Sequence, residues 1–262
     1  MTNAFSPVPG VDVITSTVNI GGFGYLPINA FVLHGSEPVL VDSGPVLEAD
    51  DFVATLRTLI DPIDLRWLWL THTDPDHIGA IPQLLELCPN MKVITSFLGV
   101  GILNLFRPLP LDRVQLVNVG EDLVAGDRTL TAVKPPSWDS PITTGFFDDK
   151  TRALFSSDCF GALLDFEPPE DAGDLSESEL RTGQVFWATI DSPWLHAVDL
   201  AGYRRILDRI GKLEPAHVFS SHLPPAPGHM LDQLLESLAQ VPGATPFVGP
   251  DQAALDQMLA GS

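Results

Sequence analysis

Apolar and polar positions follow two different periods along this chain, and the two periods alternate. Period-two patterns and short apolar runs predict β-strands over residues 11–18, 29–35, 38–41, 65–71, 91–96, 113–119, 129–133, 143–147, 152–156 and 217–220. Apolar positions three or four apart predict helices over residues 47–60, 78–87, 98–105, 197–212, 230–238 and 251–259. Because strands and helices alternate without an internal linker or repeat, the pattern predicts one α/β domain over residues 1–262, with two sheets covered by helices.

Turn signals connect several of these elements. Gly35-Ser36 predicts a hairpin between two neighbouring strands, and Asp148-Asp149 predicts a second hairpin. We expect a further turn over residues 121–126, between two strands. The acidic stretch over residues 166–183 predicts a mobile loop, which is either a plain solvated insertion or a segment that borders a site.

The most informative stretch follows the fourth predicted strand. There the chain places four side chains that commonly bind metals, His72, Asp74, Asp76 and His77. Pro75 lies among them, so this stretch is not the interior of a helix. Open α/β sheets build their sites at the C-terminal ends of strands, and two imidazoles with two carboxylates suit a divalent metal. The alternative is a solvated turn in which these residues are incidental, because turns favour Asp and Pro.

Composition excludes several classes of function. The chain is 45 % hydrophobic and 18 % charged, which is typical of a globular protein and not of a disordered one. A formal net charge of −20 without a basic cluster argues against a nucleic-acid partner. No apolar run predicts a membrane span, and the N-terminus lacks the pattern of a signal peptide. The two cysteines, Cys88 and Cys159, set no disulfide framework, so we expect a cytoplasmic protein.

Four short motifs resemble, in their order, those of the metallo-β-lactamase superfamily: Asp42-Ser43-Gly44, the turn from His72 to His77, Ser157-Asp158 and Ser221-His222. The resemblance implies a four-layer αβ/βα sandwich with a dinuclear metal site along one edge. The usual first motif of that superfamily is His-x-His-x-Asp-His, and this sequence has Asp74 in place of the second His. An acidic residue there is similar to the di-iron core of flavodiiron proteins, as is the stretch from Leu154 to Gly161.

The resemblance implies a role for each motif residue. His72 and Asp74 would bind the first metal, Asp76 and His77 the second, Asp158 would bridge both, and His222 would complete the second site. The remaining ligand of the first site is normally a His before a Pro. Asp139 takes that place here, so the first site either binds metal through a carboxylate oxygen or is weak or empty. Asp42 is interpreted as a carboxylate that orients a metal-binding His, as an Asx-turn before Gly44, or as both.

The donor set indicates which metals are suitable. With Asp139 included there are four carboxylates and three imidazoles, and four negative charges balance two divalent ions. Oxygen-rich sites favour iron or manganese, whereas zinc sites commonly use His and Cys. We therefore expect two iron ions, with zinc or manganese as alternatives, since affinity alone favours zinc over iron.

The resemblance further implies a di-iron protein that binds or reduces O₂ or NO, or one that only senses or carries oxygen. The flavodoxin-like domain that carries FMN in flavodiiron proteins is not found in this sequence. We therefore expect no FMN on this chain, and a separate flavoprotein or iron–sulfur protein as electron donor. A homodimer is expected by analogy alone.

Two other functions stay open at this point. A metallo-hydrolase would use metal-bound water to attack an ester, thioester or lactone, and Asp76 would then orient the nucleophile. A binding module with a decayed site is the third interpretation, because a His is missing at Asp139. Metal content and the absorption spectrum of the protein would distinguish the three.

Overall fold

Two β-sheets stack face to face in the computed structural model, which describes residues 2–260. The first described sheet has the strand order β1 to β7, with bounds Asn3–Val8, Val11–Ile20, Gly24–Leu33, Val39–Val41, Trp67–Trp69, Lys92–Thr95 and Val114–Leu116. The second has the order β13-β12-β11-β10-β9-β8, and β8 to β13 are Asp122–Ala125, Arg128–Val133, Gly145–Asp148, Ala153–Phe155, His217–Phe219 and Ala226–Pro227. The α-helices α1 to α7 are Ala49–Leu59, Ile81–Leu87, Phe97–Leu103, Glu177–Asp191, Leu200–Gly211, Leu231–Gln240 and Gln252–Ala260.

Aromatic side chains of both sheets build the layer between them. Phe31 and Trp69 come from the first sheet, and Phe146, Phe155 and Phe219 come from the second, all buried in one cluster. The rings of Phe31 and Phe155 meet across the two sheets with 5.4 Å between their centroids. Successive side chains of a strand point to opposite faces, so alternate positions of each strand supply this layer.

Helices cover the outer face of each sheet. Phe52 and Leu56 of α1 and Leu84 of α2 are buried against the first sheet. Leu180 of α4 and Leu207 of α5 belong to the corresponding cluster on the second sheet. The order helix, sheet, sheet, helix confirms the expected four-layer αβ/βα sandwich. Among the described residues, no helix combines the length and the apolar character that a membrane span requires.

The carboxyl ends of four strands lie at one edge of the sandwich. β4 runs parallel to β5 in the first sheet, and β11 runs parallel to β12 in the second. Backbone hydrogen bonds join the sheets at this edge, from Thr144 N–H to the Thr71 carbonyl and from Asn29 N–H to the Ser221 carbonyl, both at 2.8 Å. Residues that directly follow these strands are therefore brought together, although they are far apart in sequence.

The turn predicted over residues 121–126 is wrong. Most of this segment forms β8, which pairs with β9 in an antiparallel hairpin and places Val124 opposite Thr129. The chain passes from the first sheet to the second between β7 and β8, so the strands on either side of the predicted turn belong to different sheets. Local turn propensity does not report this change of sheet, because pairing partners are decided by tertiary packing.

The mobile loop predicted over residues 166–183 is wrong in its second half. The helix α4 starts at Glu177, because Ser176 and Glu179 form a capping box at its N-terminus. Part of the acidic run therefore caps a helix.

The strand predictions were also incomplete. β1 was not predicted, since this exposed edge strand shows no clear apolar alternation, and β3 begins at Gly24, ahead of its predicted start.

Candidate metal centre

The turn between β5 and α2 presents four of the predicted ligands. The N–H of His77 donates a hydrogen bond of 3.0 Å to the Asp74 carbonyl, which closes the turn. A glycine is required at position 79, directly after this turn, because the segment after β4 packs closely against it. A Cβ at Gly79 would lie 2.3 Å from the Pro45 carbonyl oxygen. This close approach brings Asp42, at the end of β4, behind the turn.

The seven predicted site residues converge at the carboxyl edge of the two sheets. We call site A the group of His72, Asp74, Asp139 and Asp158, and site B the group of Asp76, His77, Asp158 and His222. Asp158 belongs to both groups. Its Oδ2 atom lies 3.2 Å from Nε2 of His72, and its Oδ1 atom lies 3.3 Å from Nε2 of His77.

Site B is the more regular of the two groups. Nε2 of His77 lies 3.2 Å from Oδ2 of Asp76, and Nε2 of His222 lies 3.5 Å from the same oxygen. Nε2 of His222 also lies 3.4 Å from Oδ1 of Asp158. Two imidazole nitrogens and two carboxylates thus face a common centre, as a four-ligand metal site requires.

Site A has one imidazole and is richer in oxygen. The nearest contact of His72 is with Asp158, and Oδ2 of Asp139 is further away, at 3.9 Å from Nε2 of His72. Ligand atoms of His72, Asp74 and Asp139 all lie within 4.8 Å of one another. The structure therefore places the Asp139 carboxylate beside His72 and Asp74, the two residues that the resemblance assigns to the first metal.

Hydrogen bonds behind the imidazoles turn their Nε2 atoms toward the site. Nδ1 of His222 lies 2.8 Å from the carbonyl oxygen of Pro27, which only accepts, so Nδ1 carries the proton. Nδ1 of His72 lies 3.0 Å from Oγ1 of Thr71, whose own hydrogen is donated to Asp42. In the neutral form of both rings the lone pair is consequently left on Nε2, the atom that faces the carboxylates.

Asp42 supports this arrangement from behind. Its carboxylate accepts hydrogen bonds from the Thr71 N–H and hydroxyl at 2.8 and 2.7 Å, and Oδ2 lies 3.5 Å from Nδ1 of His77. These contacts agree with the first interpretation, a carboxylate that orients a metal-binding His. Asp42 adopts φ 58°, in the left-handed region, and strain of this kind at a strand end is typical of functional sites.

Replacing Asp42 tests its role as a support. In Asp42→Ala the Thr71 N–H loses its buried acceptor, so we expect the free energy of unfolding to fall by about 1–3 kcal/mol. Metal affinity should fall roughly 10–100-fold, because the ring of His77 loses its partner. Urea unfolding and metal titration measure the two effects, with Asp51→Ala, an exposed residue of α1, as control. Unchanged metal affinity in Asp42→Ala would show that Asp42 matters only for the fold.

In the metal-free state the imidazoles of His72 and His77 hold protons tightly, whereas Asp158 is ionised. Burial lowers the pKa of His72, but the charge of Asp158 outweighs it and raises this pKa to about 9. The pKa of His77 is likewise raised well above its usual value, because Asp158 and Asp76 outweigh its burial. Burial opposes ionisation of Asp158, yet the surrounding imidazoles hold its pKa far below the usual range.

Buried atoms without hydrogen-bond partners show that the site fits cations. Nε2 of His72, Nε2 of His77 and Oδ1 of Asp158 are buried and unpartnered, and all three face the shared centre. Leaving such groups unpaired costs about 1–3 kcal/mol each, more when they are charged. Two divalent cations would satisfy these atoms and displace the protons at the same time.

Sequence reasoning missed one carboxylate of the site. Asp191, at the end of α4, has a ligand atom within 4.8 Å of those of Asp139 and Asp158. Burial, together with the charge of Asp158, raises its pKa to about 8. No motif marks Asp191, because it lies in a helix that was not predicted and far from the other site residues in sequence.

The fold and the two adjoining ligand groups define a metallo-β-lactamase-like protein with a candidate dinuclear site. A family model described as "ODP family beta lactamase" matches residues 27–192. The chain therefore belongs to the ODP family of beta-lactamases.

Relatives and solved structures agree with this assignment. The chain is 30 % identical over 212 residues to diflavin flavoprotein A 1 of Thermosynechococcus vestitus, covering 80 % of this chain and 35 % of the relative. It is 25 % identical over 192 residues to a nitric oxide reductase of Moorella thermoacetica, covering 72 % and 46 %. The rubredoxin oxygen:oxidoreductase structure from Desulfovibrio gigas superposes with a TM-score of 0.79 at 19 % identity, covering 94 % of this chain and 63 % of that one.

The structural neighbours include further flavodiiron proteins, so the resemblance of the fold to the flavodiiron core is confirmed. The chain spans about a third to a half of the length of the two curated relatives named above.

Proposed function

We propose that this chain holds a dinuclear iron centre that binds or reduces O₂ or NO. The observation that carries the proposal is the pair of overlapping ligand groups, in which buried, unpartnered atoms of His72, His77 and Asp158 face one another. The names of two related proteins support the activity, since one is a nitric oxide reductase and another a rubredoxin oxygen:oxidoreductase. The chain spans only part of each, so the activity is proposed for this site alone.

The proposal assigns each ligand to one of two metals. His72, Asp74 and Asp139 would hold the metal of site A, Asp76, His77 and His222 would hold the metal of site B, and Asp158 would contribute to both. Four carboxylates and three imidazoles form an oxygen-rich set, which favours iron or manganese over zinc. Iron is preferred because it also supplies the redox chemistry that the related proteins' names describe.

When bound, a pair of iron ions would supply electrons to a diatomic molecule. The residues of this chain provide the surroundings for that chemistry. His72, His77 and His222 are all at most 2 % exposed, so bulk water is kept away from the ligand nitrogens. Asp158 follows β11 and His222 follows β12, and because these two strands pair in parallel they hold both ligands side by side. Electrons reach the site, in this proposal, from a separate redox protein. A homodimer remains a prediction.

Oxygen exposure of the anaerobically purified protein tests the function. We expect two iron ions per chain by elemental analysis, and oxygen uptake on mixing the reduced protein with air-saturated buffer. Absorption typical of ferric iron should appear at the same time. Asp158→Ala is the matched control, which should show neither uptake nor absorption, because the shared ligand is lost.

Two results would contradict the proposed function. A colourless protein with two zinc ions and turnover of an ester, thioester or lactone would establish the hydrolase alternative instead. Substoichiometric metal after growth in iron-rich medium would establish a decayed binding module.

A further inference from the structure

Asp191 lies beside site A, although it belongs to a different element from every other site residue. It is the last residue of α4, and a ligand atom of its carboxylate lies within 4.8 Å of those of Asp139 and Asp158. The hydroxyl of Ser192 donates a hydrogen bond of 2.8 Å to Oδ2 of Asp191. An ionised carboxylate has about four acceptor positions, so this one bond leaves capacity for a cation.

Site A has fewer close contacts between possible ligand atoms than site B has. Oδ2 of Asp139 lies 3.9 Å from Nε2 of His72, and its Oδ1 atom already accepts a hydrogen bond of 3.1 Å from the Thr143 hydroxyl. Nε2 of His72 is fully buried, has no hydrogen-bond partner, and points at Asp139 and Asp158. An unpartnered, buried nitrogen at this position indicates a cation between His72 and the carboxylates.

The position of Asp191 in its helix is unfavourable for the fold alone. A negative charge in the last turn of a helix opposes the helix dipole, whose carbonyl end is itself negative. Asp191 also approaches two other carboxylates, Asp139 and Asp158, which adds like-charge repulsion. The helix itself is firmly held, since Leu180 is fully buried and the side chain of Gln184 donates a hydrogen bond of 2.8 Å to the Leu234 carbonyl. A rigid element thus presents this carboxylate beside Asp139 and Asp158, where a bound cation would offset the repulsion among the three.

We propose that Asp191 is a further oxygen ligand of the metal in site A. This inference rests on the dinuclear centre of the proposed function. It gives that metal one imidazole, His72, and carboxylates from Asp74, Asp139, Asp158 and Asp191. The whole centre then carries five carboxylates against two cations, an excess that favours oxygen-seeking metals and the more highly charged states of iron.

Titration of the metal-free protein with Mn²⁺ tests the inference. Mn²⁺ suits carboxylate sites and is detected by calorimetry and by electron paramagnetic resonance. We expect two Mn²⁺ per wild-type chain. In Asp191→Asn we expect one site to bind at least about tenfold more weakly while the other keeps its affinity, as for loss of a supporting or direct ligand.

The melting temperature of the metal-free protein separates a ligand from a structural residue. Burial and the neighbouring carboxylates keep Asp191 protonated near neutral pH in the metal-free state, so Asp191→Asn should leave this melting temperature unchanged or raise it, and the further rise on adding Mn²⁺ should shrink. A structural role predicts the opposite, a lower melting temperature without metal. Asp191→Glu keeps the charge and should restore part of the affinity.

A control variant and two contrary outcomes separate a failure of this inference from a failure of the proposed function. Asp208→Asn, at an exposed position of α5, should leave Mn²⁺ affinity and melting temperature unchanged. If Asp191→Asn binds two Mn²⁺ as tightly as wild type, the inference is overturned and the dinuclear centre stands. If the wild-type chain itself binds no Mn²⁺, iron or zinc, both are overturned.

Discussion

Asp158→Ala is expected to reduce the metal content from two ions per chain to none. Asp158 is the residue common to site A and site B, with one oxygen 3.2 Å from His72 and the other 3.3 Å from His77. Its loss removes one ligand from each metal and leaves the imidazoles without their shared negative neighbour. Elemental analysis of protein purified from iron-rich medium measures the effect, and circular dichroism checks that the variant is folded.

Asp139→Ala is the informative comparison for this prediction. Asp139 borders site A only, so its loss should weaken one metal and leave one ion per chain in site B. Full, equal occupancy in both variants would show that the ligands are misassigned. Loss of both ions in Asp139→Ala would show instead that the two sites bind metal as a single cooperative unit.

Raising the pH from 6.5 to 8 is expected to destabilise the metal-free protein. The folded-state pKa of His72 is raised to about 9, so the folded state binds more protons than the unfolded state above pH 6.5. The contribution of His72 to the free energy of unfolding is complete below pH 6.5 and is lost as the pH rises through 9. The pKa of Asp191 is raised to about 8, so over this range the folded state keeps a proton that the unfolded state has already lost. Raising the pH therefore destabilises the folded state through Asp191 as well. The expected loss is about 2 kcal/mol or more over this range.

Metal removes most of this pH dependence. Ligands must lose their protons before they bind, so metal affinity increases with pH and offsets the stability that the metal-free protein loses over this range. Urea midpoints at pH 6.5 and 8, measured with chelator and with Mn²⁺, give four values that test both slopes. His72→Gln should flatten the dependence of the metal-free protein. A rise in metal-free stability over this range would contradict the assignment of protonated imidazoles.

The sequence by itself was sufficient for the parts of the protein that are encoded locally. A buried strand followed by His72, Asp74, Asp76 and His77 requires only a strand end, a proline-containing turn and a helix, so neighbouring residues specify it. The two predicted hairpins and most helices were recognisable for the same reason. Resemblance to a known motif order supplied Asp158 and His222, which share no local signal with that turn.

Tertiary structure decided what depends on contacts between distant segments. β8 was mistaken for a turn because its identity depends on pairing with β9 in a second sheet, and turn propensity within residues 121–126 does not contain that information. From the sequence, Asp139 was only a substitute for a His that the motif order expects. The convergence of the two sheet edges is what brings it beside His72. Asp191 was not visible at all, since a carboxylate at a helix end becomes part of a site only when packing carries that helix to the strand ends. Ligand chemistry is local, whereas the convergence of ligands on one point is a property of the whole fold.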